Sequence, residues 1–131
     1  MKESECMTNI QSELKAINAA FDGAFNSKNA GAIGALYDSN AVVMPAPAGE
    51  PVVGAVAIQA FFLGLINAGV TEHQLTLSDA VEEGSLAFQR GLWSGAMLGA
   101  DGVKQTFGGN VQLIYRKQND GSWKAVSHIW N

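Results

Sequence analysis

With two histidines (His73 and His128), one cysteine (Cys6), eight basic side chains and twelve acidic ones in 131 residues, this chain must build any chemistry from few groups. His128 is the best placed of them. The closing stretch from Trp123 to Asn131 reads as a strand, whose period of two sets Val126, His128 and Trp130 on one face. An imidazole beside apolar neighbours suits the floor of a pocket. Desolvation favours its neutral form, and a group that titrates near neutrality can act as general acid or base for roughly 10² to 10⁴ in rate. A core histidine satisfied by a backbone or hydroxyl partner fits the same pattern, so both readings stay open.

Arg90 is the second candidate. The alternation Phe88, Arg90, Leu92, Ser94 sets its guanidinium on a mostly apolar face, where it needs a carboxylate or phosphate partner such as an acidic ligand. A structural ion pair would serve equally, since Gly91 can bulge the strand and invert the facing. The opposite face carries Gln89 and Trp93, which suits a sheet-to-sheet dimer contact. Trp93 and Trp123 are therefore read as packing or interface residues.

Other groups carry less. His73 and Asp79 share a strand face with Leu75 and Leu77, but six residues span about 20 Å of extended chain, so the two cannot touch. No ligand spacing for zinc or iron is visible, and neither a metal nor another cofactor is expected. Gly95 to Gly102 is glycine-rich without the strand-to-helix context of a phosphate loop and reads as a bend and hairpin. No serine or cysteine nucleophile has a recognisable neighbourhood. Cys6 lies in a polar opening without a second thiol in the chain.

A net charge of -4, with lysines and arginines scattered from Lys2 to Lys124, offers no stripe to follow a phosphate backbone, which argues against a nucleic-acid partner. The longest apolar stretch, residues 55–70, is interrupted by Gln59 and Asn67 and is shorter than the roughly 20 residues of a membrane span. No charged start followed by an apolar run marks a signal peptide, so the expected location is the cytoplasm.

The elements that must hold these groups are an α+β set. Ile10, Leu14, Ile17, Phe21 and Phe25, with Ala20 and Ala24, give a first helix with a capping box at Thr8 and Gln11. Asn29 caps a short second helix over 30–37, with Ile33, Leu36 and Tyr37 inward. Residues 41–44 form a strand stopped by Pro45, and residues 46–51 a proline-rich loop at the pocket rim. Val52 and Val53 pair briefly, and Ile58, Phe61, Phe62, Leu65 and Ile66 give a third, heavily buried helix closed by Gly69. Four long strands follow, divided by Glu83-Gly84, Asp101-Gly102 and Asn119-Asp120-Gly121 as an antiparallel meander. Glycines 91, 95, 108 and 109 inside those strands predict bulges or bends, and a bent sheet covered by three helices makes a cone with an internal pocket. The whole chain, 1–131, reads as one domain with a flexible tail over 1–7.

This order of elements resembles the SnoaL-like and ketosteroid-isomerase-like proteins, which share the fold of nuclear transport factor two. The likeness rests on Ala-Phe-Asn-Ser-Lys-Asn (24–29), Leu-Tyr-Asp-Ser-Asn-Ala-Val-Val-Met-Pro (36–45), Val-Val-Gly-Ala-Val-Ala-Ile-Gln-Ala-Phe-Phe (52–62) and Gly-Ser-Trp-Lys-Ala-Val-Ser-His-Ile-Trp-Asn (121–131). Against the steroid isomerases, the base position falls on Pro45 and the two oxyanion donors fall on Phe21 and Leu113. Losing even one such donor typically costs roughly a hundredfold to a thousandfold, so steroid isomerisation is not expected. The same alignment sets Tyr37 in a supporting network, Phe61, Phe62, Val126 and Trp130 in the apolar wall, and His128 facing the cavity.

The expectation is therefore a small-molecule pocket, with His128 and Tyr37 as catalytic groups. Trp130, Arg90, Met44, Phe21, Phe61, Phe62, Leu92, Val111, Leu113 and Val126 are the expected ligand contacts. The ligand would be a small apolar or acidic compound, and the reaction an isomerisation, dehydration or cyclisation of an apolar carbonyl compound. The alternative is a non-catalytic binding or dimeric association module. A homodimer through the uncovered sheet face is expected in either case.

Overall fold

The computed structural model describes residues 9–45 and 49–131. Thr8 of the expected capping box, Cys6, the tail 1–7 and residues 46–48 of the proline-rich loop lie outside the described residues.

Helix α1 (Asn9–Asn26) buries Ile10, Leu14, Asn18, Phe21, Ala24 and Phe25 along one stripe. Asn18 is the polar member of that stripe, while Ala20 faces solvent. Helix α2 (Ala30–Gly34) is capped by Asn29, whose side chain accepts from the Ala32 amide. It ends earlier than the sequence suggests. Tyr37 opens strand β1 (Tyr37–Met44), opposite Ala125, rather than closing the helix. Strand β2 (Val52–Val53) pairs with β1, and helix α3 (Ala55–Ala68) follows. The α3 helix stops at Gly69, whose φ of 105° is left-handed and lets its amide bond the carbonyls of Leu65 and Ile66. Only Ile58, Phe62 and Ile66 of α3 are fully buried, and Val56 (85% exposed) and Leu63 (41%) face out, so this helix is less covered than its composition suggests.

Strands β3 (Thr71–Glu83), β4 (Leu86–Leu98), β5 (Lys104–Lys117) and β6 (Trp123–Trp130) form the expected hairpins. The six-stranded sheet runs β2-β1-β6-β5-β4-β3. All neighbouring pairs are antiparallel except β1 and β6, which are parallel, so β6 joins the end of the meander to the first strand. Of the four register shifts in the sheet, two bear on the site. One lies between Leu77 and Asp79 on β3, opposite Gly91 and Arg90, and the other lies between Ala125 and Ser127 on β6. At the first, β3 and β4 approach so closely that a Cβ on Gly91 would collide with the Thr76 carbonyl. The three helices pack on the curved, unclosed sheet, with Leu14, Phe25, Ile33, Ile58, Val43 and Tyr115 at the centre of the core. No helix among the described residues is long and apolar enough to cross a membrane.

Candidate functional site

The site starts at β6. Its inward residues are Trp123 and Ala125, then, past the bulge, His128 and Trp130. His128 is 3% exposed, opposite Leu113 on β5 and Val43 on β1. Tyr37, buried at the start of β1, brings its hydroxyl within 2.7 Å of His128 Nδ1.

The direction of that hydrogen bond follows from the surroundings. Burial first, and Tyr115 second, push the Tyr37 pKa well above its ordinary value, so the phenol keeps its proton. Among the described residues the Tyr37 hydroxyl has only His128 as a hydrogen-bond partner, so O–H donates to Nδ1. The imidazole is then the Nε2–H tautomer. Burial, followed by the nearby His73, pushes the His128 pKa down to about 3. The expected near-neutral acid or base is therefore, at neutral pH, an uncharged ring whose Nε2–H is a hydrogen-bond donor. Trp130 leans on it at 4.7 Å between ring centroids, and Phe62 stacks at 6.2 Å.

Beside this ring lies a cavity of about 150 Å³, mostly apolar. Helices supply Phe25 from α1 and Phe61, Phe62 and Leu65 from α3. The sheet supplies His73, Leu75, Trp93, Phe107, His128 and Trp130, with Val70 at the α3–β3 junction. Cavities of about this size hold a single benzene-like ring. A steroid is too large for it.

His73 is the second polar group on the cavity wall, and sequence reasoning missed its partner. Its Nδ1 lies 2.8 Å from Asp22 Oδ1 on α1, and Asp22 Oδ2 accepts from the Leu75 amide at 3.0 Å. One helical turn later, Asn26 accepts from the His73 amide (2.8 Å) and donates to its carbonyl (3.0 Å). The sequence signal was Asp22 and Asn26 at a spacing of four on one helix face, but the chain offered no sign that β3 would dock there.

The expected contacts divide clearly. Trp130, Phe61 and Phe62 line the cavity with His128, and Tyr37 stands behind the ring. Phe21 and Leu113 lie deeper, around a much smaller void beside Tyr37, and Val111 is a buried core residue. Four others are corrected. Arg90 is on the outer face of β4, where Asp79 takes its Nε and Nη2 at 3.2 and 2.6 Å; the ion pair, not a ligand, satisfies it. Leu92 shares that outer face and is 52% exposed. Met44 lies opposite the outward Ile129. Val126 is the unpaired residue of the β6 bulge, which shifts the inward set from Val126 to Ala125.

The inward face of β4 carries Gln89 and Trp93, which the sequence suggests for a dimer surface. Trp93 lines the cavity, and its indole N–H donates to the Asn131 carbonyl. Gln89 exchanges two hydrogen bonds with Asn18 (3.0 and 2.7 Å) and reaches Tyr115 at 2.6 Å. This buried network ties α1 to the sheet. Among the described residues, no three His, Cys, Asp or Glu side chains converge as a metal site.

Known structures share this architecture. A ketosteroid isomerase-like protein from Erwinia carotovora atroseptica SCRI1043 is 22% identical over 95% of this chain and 96% of its own, with a TM-score of 0.79. An NTF2-like protein with a cystatin-like fold from Novosphingobium aromaticivorans is 19% identical over 92% and 79%, with a TM-score of 0.78. A candidate calcium/calmodulin-dependent protein kinase II association domain from Xanthomonas campestris is 15% identical over 95% and 88%, with a TM-score of 0.77. At these identities the likeness is one of fold. No curated protein matches the chain. The profile of the SnoaL-like domain, a family with isomerase and cyclase members and some non-catalytic ones, matches residues 17–126, and the chain belongs to that family.

Proposed function

We propose that this protein binds a small, single-ring apolar carbonyl compound in the cavity beside His128 and acts on it as a cofactor-independent isomerase, dehydratase or cyclase. The observation that carries this reading is the 2.7 Å contact between Tyr37 and His128 Nδ1, which leaves an uncharged Nε2–H donor on an apolar cavity of about 150 Å³. A neutral donor in a dry site stabilises charge that develops on a carbonyl oxygen, as other preorganised donors do. With Arg90 paired on the outer face, the ligand is taken to be neutral rather than acidic.

The test is a thermal-shift comparison of cyclohexanone with methylcyclohexane, on the wild type and on His128→Gln. A ligand at a hundred times its Kd stabilises by roughly 2.7 kcal/mol. The expected result is a shift with the ketone that exceeds the hydrocarbon's and shrinks in the variant. Equal shifts for both compounds, unchanged in the variant, would leave a purely apolar binding module.

The outer sheet face supports a homodimer as a second proposal. Leu92 (52% exposed) and Ile129 (43%) flank a shallow groove there, beside the Arg90–Asp79 pair. Light scattering at micromolar concentration should give twice the chain mass, and Leu92→Glu should halve it. The same reading takes the chain as one cytoplasmic domain, in keeping with one shared core and a cysteine, Cys6, that lacks a second thiol in the chain.

A further inference from the structure

We propose that the open edge of β5 is a docking strip for an extended peptide, which adds a strand beside residues 104–108 and sets one bulky apolar side chain in the mouth of the cavity. The same cavity then admits either a small molecule or that side chain.

Strand β5 outruns one of its neighbours. It pairs with β4 from Lys104 to Arg116, but β6 covers only residues 111–117, and Asn131 closes Asn110 with its amide and its side chain. At the turn the Gly99 amide bonds the Val103 carbonyl, so odd-numbered residues of β5 face β4; the Asn131 amide bonds the Asn110 carbonyl, so even-numbered ones face the other way. The N–H and C=O groups of Lys104, Thr106 and Gly108 therefore point off the sheet, and among the described residues no backbone group takes them. The strip ends at Gly108, because the Asn131 carbonyl lies against Gly109.

The two outer edges of the sheet are blunted. Strand β2 is two residues long. Side chains of α1 close β3: Asn26 accepts from the His73 amide and donates to its carbonyl, and Asp22 accepts from the Leu75 amide. Farther along, a bulge after Leu77 and the charges of Glu82 and Glu83 break the β3 edge. No such device covers the strip on β5.

What lies beside the strip fixes the chemistry of its occupant. A strand added there continues the line of β6, and its residue opposite Phe107 faces inward as Phe107 does. Phe107 lines the cavity with Trp93, Trp130, Phe61 and Leu65, each reached by solvent, whereas Phe62 and His128 are buried, so these five residues form the mouth. Main-chain bonds then hold the peptide, and one apolar side chain at the mouth selects it. Residues 103–110 carry one cation, Lys104, paired with the exposed Glu72, and no anion, so an acidic residue suits the place opposite Lys104. Five residues make about 16 Å of strand. Stable contacts between two folded chains use roughly 20–30 residues a side, which points to a flexible peptide rather than a second copy.

The experiment titrates ¹⁵N-labelled protein with acetyl-Thr-Leu-Thr-Ser-Glu-amide, whose antiparallel register sets leucine opposite Phe107, the second threonine opposite Thr106 and glutamate opposite Lys104. Amide signals of residues 104–108 and the indole signals of Trp93 and Trp130 should shift. N-methylation of the second threonine removes the N–H that reaches the Thr106 carbonyl and should weaken binding roughly tenfold, while N-methylation of the leucine, whose N–H points to solvent, should not. Alanine in place of the leucine should weaken binding roughly thirtyfold. Thr106→Pro, which leaves the bonds to β4 intact, should abolish it. No binding at millimolar peptide, or equal loss from both N-methylated peptides, overturns the inference, and neither result needs a protein variant to fold. A mass in light scattering that halves on Thr106→Pro without peptide overturns it too, in favour of a second copy on the strip.

Discussion

The uncharged state of His128 has a thermodynamic consequence that needs no ligand. In the unfolded chain the imidazole takes up its proton near pH 6.5, whereas in the folded protein it does so near pH 3. Between those values the unfolded state binds a proton that the native state refuses. The stability present above pH 6.5 is therefore lost progressively as pH falls toward 3, at up to about 1.4 kcal/mol per pH unit. From pH 7.5 to 5.0 the loss due to this residue is about 2 kcal/mol, a large share of the 5–15 kcal/mol typical of a domain. Other groups titrate in the same window, so the quantity to measure is a difference of differences. Urea unfolding followed by tryptophan fluorescence, at pH 7.5 and 5.0, is run on wild type and on His128→Gln, which keeps an acceptor for the Tyr37 hydroxyl. Wild type should lose about 2 kcal/mol more than the variant. Parallel losses in the two proteins would show that His128 protonates freely in the fold, and the Nε2–H donor argument would fall with it.

Tyr37→Phe should cost roughly 1–3 kcal/mol by leaving His128 Nδ1 buried without a donor, and ¹⁵N chemical shifts of the ring should report a loss of the single tautomer. Asn18→Leu should destabilise by a similar amount, about 1–3 kcal/mol, because Gln89 keeps only Tyr115; a double-mutant cycle with Gln89→Leu should show strong coupling in chemical denaturation. Gly91→Ala forces a methyl against the Thr76 carbonyl and should lower the unfolding free energy by about 1–3 kcal/mol. Arg90→Ala removes an exposed ion pair and should leave both Tm and ketone binding nearly unchanged.

Local signals were enough for the elements. The three hairpin turn signals, the apolar spacing of α1 and Gly69 after α3 each act over a few residues, and each is where the sequence places it. Tyr37 and His128 were legible as candidates, but their contact was not, because they lie 91 positions apart. Facing failed where burial depended on a distant partner. Gln89 looks like a surface residue until Asn18 and Tyr115 satisfy it, so the facing of its strand is reversed, with Gln89 and Trp93 inward and Arg90 outward. Val126 was lost to one bulge, since a single extra residue reverses a period of two. The Asp22–His73 pair is invisible for the same reason as the Tyr37 contact: its members lie 51 positions apart, on a helix and a strand whose docking no local signal shows.

The parallel seam between β1 and β6 decides when the pocket comes into being. Hairpins β3–β4, β4–β5 and β5–β6 close through short turns, while β1 must wait for a partner that lies near the other end of the described chain. Closing so long a loop is an entropic cost that local pairings do not carry, so docking of β1 belongs late in folding. A chain with its meander formed and β1 undocked would hold His128 without Tyr37, its ring wet, free to change tautomer and able to protonate at ordinary pH. The proposed function is thus conditional on the last join, and conditions that loosen only that seam would undo the Tyr37–His128 contact while most of the sheet stayed folded.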